Sequence, residues 1–389
     1  DTKLPALTDG KFNNATTTLT VIPFLRIDNY NPKNKGFEVL KPGAYLFSYD
    51  MLDRYGFFAS AAANWKGERD LFFTFDYHGA IPGFYDLGMD PGLSLELYNI
   101  TRKTDSFIPL PLDTLPVDIT YNLIEFDVVF RQKLFTEHLG IEYGYRHSRY
   151  TADIGSFFLP EARFLVGATG ILYYKGNDLF LNLNADFSAP SRTQEINPVG
   201  RKIRVRYDYE FNDFDPTDQV NERGELANVF KDVNFHRLEV NLRESHALPG
   251  WSHTLSAALR AGTIFGPPVD IFFDFYLGGL TGMKGYPFYS LGGNEYGHAN
   301  VTYRFPVWEG IDVRFLQFYF DKLYAAVYAD AGTAWSGGSV SGRRFIRDAG
   351  LELRLESFSF YAYPTRVFFN ATYGFDTFSR YRHRNESPS

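Results

Sequence analysis

Apolar and polar residues alternate along this chain with a period of two over most of its length. From Leu179 to Phe187 the odd positions are Leu179, Leu181, Leu183, Ala185 and Phe187, while Asn182, Asn184 and Asp186 fall on the even ones. From Arg201 the contrast sharpens: Ile203, Val205, Tyr207, Tyr209 and Phe211 stand against Lys202, Arg204, Arg206, Asp208 and Glu210. Successive side chains of a strand point to opposite faces, so each segment predicts a strand with one apolar and one polar face. A helical period of about 3.6 does not produce this pattern. The rule recurs in Leu71/Phe73/Phe75/Tyr77, Ile124/Phe126/Val128/Phe130 and Leu139/Ile141/Tyr143/Tyr145. Roughly fifteen strands are read between Gly43 and Asp376. Each runs about 9–13 residues, enough for a tilted strand to cross a bilayer. Tight links such as Asp53-Arg54 and Thr136-Glu137 contrast with long ones such as Lys103–Pro116, Ser188–Gly200 and Asn212–Val233. Residues 1–36 alternate only weakly, around Thr17–Arg26, and are read as a lead-in segment ahead of a barrel over residues 37–389.

Composition sharpens this picture. Aromatic residues make up 18% of the 389 residues, with 39 Phe and 27 Tyr, yet hydrophobic residues reach only 44%, and the mean hydropathy is −0.26. That combination suits a sheet with one greasy face in lipid and one wet face. A soluble sandwich or propeller also alternates, but its strands average about 5–6 residues. The expected fold is therefore all-β, a transmembrane antiparallel β-barrel of about 16 strands. No apolar run approaches the roughly 20 residues of a membrane helix, and the start, Asp1-Thr-Lys-Leu-Pro, does not look like a signal peptide.

Charge and motifs narrow the function. A net charge of −7 argues against a nucleic-acid partner, which calls for a basic patch. There is no cysteine, hence no disulfide framework and no thiolate metal site. His236, His253 and His298 lack HxH or HExxH spacing, and neither a GxSxG nor a P-loop occurs. Neither a metal, a cofactor nor a catalytic residue is expected, so the chain is not read as an enzyme.

One segment breaks the rhythm. Phe275-Tyr-Leu-Gly-Gly-Leu-Thr-Gly-Met-Lys-Gly-Tyr286 holds four glycines and a single cation, and predicts a loop folding back into the interior of a closed sheet. Downstream, Asp330 is a lone carboxylate in an apolar and aromatic strand, on the face of Tyr324, Ala326 and Tyr328. In Tyr296–Val307 the polar face carries His298, Asn300, Thr302 and Arg304. A carboxylate so placed needs a partner or water, and Lys284 is expected to supply it; separate solvation of both by lumen water is the alternative.

Gly278-Gly279…Met283-Lys284-Gly285-Tyr286 resembles the Gly-Gly…Val-Arg-Gly-Tyr/Phe loop of the BamA/TamA-type superfamily of outer-membrane assembly and translocation barrels, also called the bacterial surface antigen family. Asn300–Pro306 and Val327–Trp335 are similar to the two strands after that loop, and the likeness covers Phe275–Phe375, about a quarter of the chain. Gly43…Ser48-Tyr-Asp-Met-Leu52 and Glu68-Arg-Asp-Leu71 resemble a subgroup in which the barrel follows a TolB-like β-propeller.

The resemblance implies a 16-stranded barrel in the bacterial outer membrane with a lumen-inserted loop. Gly278, Gly279, Lys284, Gly285 and Tyr286 would form the latch, and Asp330, with Thr302, the lumen acceptor. Three departures stand out. Lys284 replaces the family's Arg and loses its bidentate fork, Thr302 stands where the family has Glu, and the closing strand looks absent after Asp376. The implied function is protein insertion or transport, using a weakly paired seam as an edge for client strands. The implied partners are outer-membrane lipids, other envelope proteins, and client β-barrel or exported proteins. A scaffold subunit anchoring an envelope complex and a passive channel are the alternatives.

Overall fold

The alternating segments fold as strands. The computed structural model describes residues 19–27, 36–109, 114–159, 164–189, 198–214, 219–220, 226–227, 230–249, 252–279, 282–338, 345–359 and 363–377. Contacts divide the chain into two compact units, Asp1–Gln132 with Tyr143–Asp178 and Asn212–Asp232, and Lys133–Glu142 with Leu179–Phe211 and Val233–Ser389.

The strands of the first unit begin with β1 (Thr20–Ile27), β2 (Leu40–Tyr49), β3 (Tyr55–Ala63) and β4 (Arg69–Tyr77). β5 (Gly92–Pro109) and β6 (Thr114–Leu134) complete an antiparallel meander. β7 (Thr136–Ile154), β8 (Thr169–Ser188) and β9 (Gly200–Phe214) contribute residues to both units. In the second, β10 (Lys231–Ala247), β11 (Thr254–Phe265) and β12 (Glu295–Trp308) are followed by β13 (Phe318–Trp335), β14 (Ile346–Ser359) and β15 (Tyr363–Gly374). These too pair in antiparallel succession. The fifteen follow one another in hydrogen-bonded order, and Val313–Phe315, pairing back on β13, completes a 16-stranded sheet. β5 to β8 are 18, 21, 19 and 20 residues long, well beyond the roughly 10 a bilayer requires. Their excess length must therefore stand in water.

Thr20–Ile27 differs from the lead-in expectation: it pairs with β2 through eight consecutive partners, Thr20↔Phe47 to Ile27↔Leu40. The sequence there conceals a strand because Pro23 cannot donate to a ladder, a defect tolerated in the first strand of a sheet. The question of a closing strand falls on residues 378–389, outside the described residues.

Burial is inverted relative to a water-soluble protein. On β13 the alternate residues Tyr324, Ala326, Tyr328 and Asp330 are buried, whereas Val327 is 49% exposed. On β12 His298, Thr302 and Arg304 are buried and Val301 is exposed; on β14 Asp348, Glu352 and Glu356 are buried while Leu351 and Leu353 are exposed. The first unit repeats the pattern: Lys41, Ser94 and Asp127 are buried, and Leu71, Phe73, Leu97 and Phe126 are exposed. Its buried charges are paired. Asp70 accepts from Arg26, Lys41 and Arg102, and Arg146 lies 3.1 Å from Asp127. A polar face satisfied inside and an apolar face turned outward suit lipid as the outer solvent.

Candidate functional site: the docked loop between β11 and β12

The chain leaving β11 makes one 3₁₀ turn, Ile271–Phe273, capped where Phe272 N donates to Asp270 Oδ1 at 2.9 Å. Phe275–Leu277 then pairs with Leu291–Gly293 as the stem of a hairpin. Glycine is required at the bend: Gly278 has φ +124°, and a Cβ there would sit 2.2 Å from Pro287 O. Gly279, at φ +76°, donates its N–H to Tyr286 O at 2.9 Å. The two glycines thus turn the hairpin tip, Met283–Tyr286, back toward the sheet.

The tip docks on β13 to β15 and the turn after them. Met283 is fully buried, and its Sδ lies 3.0 Å from the position a Cβ on Gly332 of β13 would take. Gly285 N donates to Asp348 Oδ2 at 2.8 Å on β14. A Cβ on Gly285 would meet Asp348 Cβ at 2.7 Å and Gly374 N of β15 at 2.9 Å. Tyr286 OH donates to Arg347 O at 2.8 Å and accepts from Asp376 N at 3.0 Å. Backbone close approach at three glycines, and hydrogen bonds to buried groups, fix the loop more than any charge pair does.

The expected ion pair is redirected. Lys284 Nζ lies 3.6 Å from Glu352 Oε2 on β14 and 4.1 Å from the Tyr328 ring centroid. Its carboxylate partner is Glu352 rather than Asp330. Asp330 instead accepts from His298 Nε2 at 3.1 Å and from Asn300 Nδ2 at 2.7 Å, which satisfies one oxygen without any help from the loop. Thr302 Oγ1 donates to Asn300 Oδ1 at 2.8 Å and so supports that network from one step away. Gly278, Gly279, Lys284, Gly285 and Tyr286 thus belong to one docked loop, and Asp330 and Thr302 lie on the wall beside it. Sequence reasoning missed Asp348 and Glu352, although they alternate with Ala349, Leu351 and Leu353 by the same parity that located Asp330.

Replacing Tyr286 by Phe removes both hydroxyl contacts and leaves the Asp376 amide without its acceptor, a local cost of about 1–3 kcal/mol. The expected result is hydrogen exchange at the Asp376 amide faster by on the order of tenfold, with the amides of β12 unchanged.

Residues 118–357, more than half of the chain, match the Omp85 superfamily domain. The chain belongs to the Omp85 superfamily. This is the superfamily that the loop motif indicated. Among solved structures, CdiB from Escherichia coli is similar at 11% identity and a TM-score of 0.50, covering 95% of this chain and 64% of that one. CdiB from Acinetobacter baumannii is similar at 10% identity and a TM-score of 0.47, covering 86% of this chain and 57% of that one. This Omp85 chain therefore spans less than two thirds of the length of either. None of the curated proteins matches it. The likeness to the first CdiB is one of fold, an all-β antiparallel barrel.

Proposed function

We propose that this Omp85 protein resides in the bacterial outer membrane and assists the insertion or transport of other proteins there. The observation that carries this reading is a loop tip held on the sheet by contacts that can be undone, among them three hydrogen bonds, a lysine–carboxylate pair and a methionine packed on a glycine. In this mechanism the docked loop braces β13, β14 and β15. Its release loosens β15, the last of the described strands in hydrogen-bonded order, whose edge then pairs with an extended client segment. The residues named above position strands; none acts on a covalent bond. Outer-membrane lipids and a client β-barrel or exported protein are the partners this requires, with other envelope proteins as accessories.

The absence of native cysteine gives a clean test. In a Met283→Cys/Gly332→Cys variant the two thiols would face each other across a contact tighter than van der Waals distance, 3.0 Å from the Gly332 Cβ position to Met283 Sδ, which the shorter side chain at 283 relieves. Oxidation should lock the loop and deplete a defined set of outer-membrane or secreted proteins, and reductant should restore them. Unchanged protein levels with the disulfide quantitatively formed would remove loop release from the mechanism and leave the anchoring-scaffold reading.

A further inference from the structure

Beside the docked loop, the polar face of the second unit lines an open cavity of about 850 Å³. That lies within the range of about 300–1,000 Å³ found for small-molecule sites. Its walls carry eight Lys and Arg side chains against three carboxylates, an excess of five positive charges in a chain whose formal net charge is −7. The three carboxylates are already engaged: Asp186 by Lys202 at 2.8 Å, Asp330 by His298 at 3.1 Å, and Glu352 by Arg354 at 2.7 Å and Lys284 at 3.6 Å. Arg243 stands close enough to Arg260 and Arg354, and Arg304 to Arg354 and Arg243, for their charges to repel. Arg304 is only 8% exposed, lines the cavity, and its Nη1 has no hydrogen-bond partner among the described residues; Arg354 Nε is likewise buried without one.

A lysine in such a position can shed its proton, but a guanidinium cannot, so its buried charge calls for an anion. Several guanidinium groups lining one space match an oxyanion with many acceptor oxygens better than a single carboxylate. Asn300 and Thr302, which also line the cavity, add neutral polar groups on the same wall.

We propose that this cavity binds a small anion carrying two or more phosphoryl groups, with Arg304 and Arg354 as its principal ligands and Arg243 as a third cation. A soluble compound and a lipid headgroup both supply such phosphoryl groups, and the recognition chemistry is the same.

The test uses the full chain in phosphatidylcholine nanodiscs, titrated calorimetrically with inorganic pyrophosphate at about 0.1 M salt, where surface charge is screened beyond about 10 Å. Saturable binding is expected, weakened about tenfold to hundredfold in Arg304→Gln and Arg354→Gln, as for loss of a charge-assisted hydrogen bond, and unchanged in Arg54→Gln, whose exposed guanidinium pairs with Asp50. Nanodiscs doped with cardiolipin, whose headgroup carries two phosphates, distinguish the sources: competition with pyrophosphate identifies a headgroup, and its absence a soluble ligand. A readout on the unmutated protein guards against misfolded variants. Phenylglyoxal modification of Arg304 and Arg354, followed by mass spectrometry, should fall several-fold with pyrophosphate while that of Arg54 does not. No saturable binding, binding equal in Arg304→Gln, or tighter capture of an acidic poly-glutamate peptide than of pyrophosphate would overturn the proposal.

Discussion

Gly285→Ala is expected to lift the loop tip off the sheet. The added Cβ would stand 2.7 Å from Asp348 Cβ and 2.9 and 3.1 Å from Gly374 N and Cα. All three atoms are fixed to strands β14 and β15, so no flexible side-chain end can move aside. Overpacking of this kind costs about 1–3 kcal/mol. Here relief by displacement also sacrifices the Gly285–Asp348 hydrogen bond and draws Tyr286 from Arg347 and Asp376, each worth roughly another 1 kcal/mol. Displacement therefore exposes Met283, which is otherwise fully buried. With Met283→Cys as the reporter, maleimide labelling should accelerate at least tenfold in the Gly285→Ala background, while the barrel keeps its heat-modifiable mobility. Gly297→Ala is the control, because its Cβ would meet only the Phe345 ring at an ordinary 3.8 Å. Equal labelling rates in both backgrounds would show that the tip is not clamped as described.

Val327→Arg is expected to destabilise the protein strongly, although in a soluble protein the same change at a half-exposed site would be nearly neutral. Val327 is 49% exposed and flanked by buried Ala326 and Tyr328, so it lies on the apolar face. With lipid against that face, an arginine near the bilayer midplane costs about 2–4 kcal/mol. Lys202→Ala on the polar face removes only a half-exposed pair with Asp186, worth less than about 1 kcal/mol. Urea-dependent folding into phospholipid vesicles measures both. If Val327→Arg costs no more than Lys202→Ala, the apolar face does not meet lipid.

Parity alone made the faces legible. The inward orientation of Asp330, Thr302 and Arg304 follows from counting odd and even positions, and all three are buried. The loop was legible because four glycines interrupt the alternation. What parity does not encode is height along the strands. The register aligns Asp330 with Asp348 and Ala326 with Glu352, so the two candidate acceptors for Lys284 differ by four residues, about 13 Å along the strand direction. Which carboxylate the lysine meets depends on where the hairpin stem sets its tip, and that is decided by the fit of Met283 and Gly285 against Gly332 and Gly374, contacts between residues 49 and 89 positions apart in the chain. β1 escaped for a different reason: on the face of Thr20 and Arg26, Thr20–Ile27 places Ile22 and Phe24 where polar alternates would have marked the strand.

The bond from the Asp376 amide to the Tyr286 hydroxyl joins residues 90 apart, and Asp376 in turn holds the Arg347 amide at 2.9 Å. Such long-range closures carry a large loop-entropy cost and form late in folding. Backbone pairing sets the register of β14 against β15 locally, but the aromatic hydroxyl bonded just beyond β15 belongs to the segment between β11 and β12. This anchorage beyond β15 is therefore a joint property of two hairpins: it forms only when both are in place.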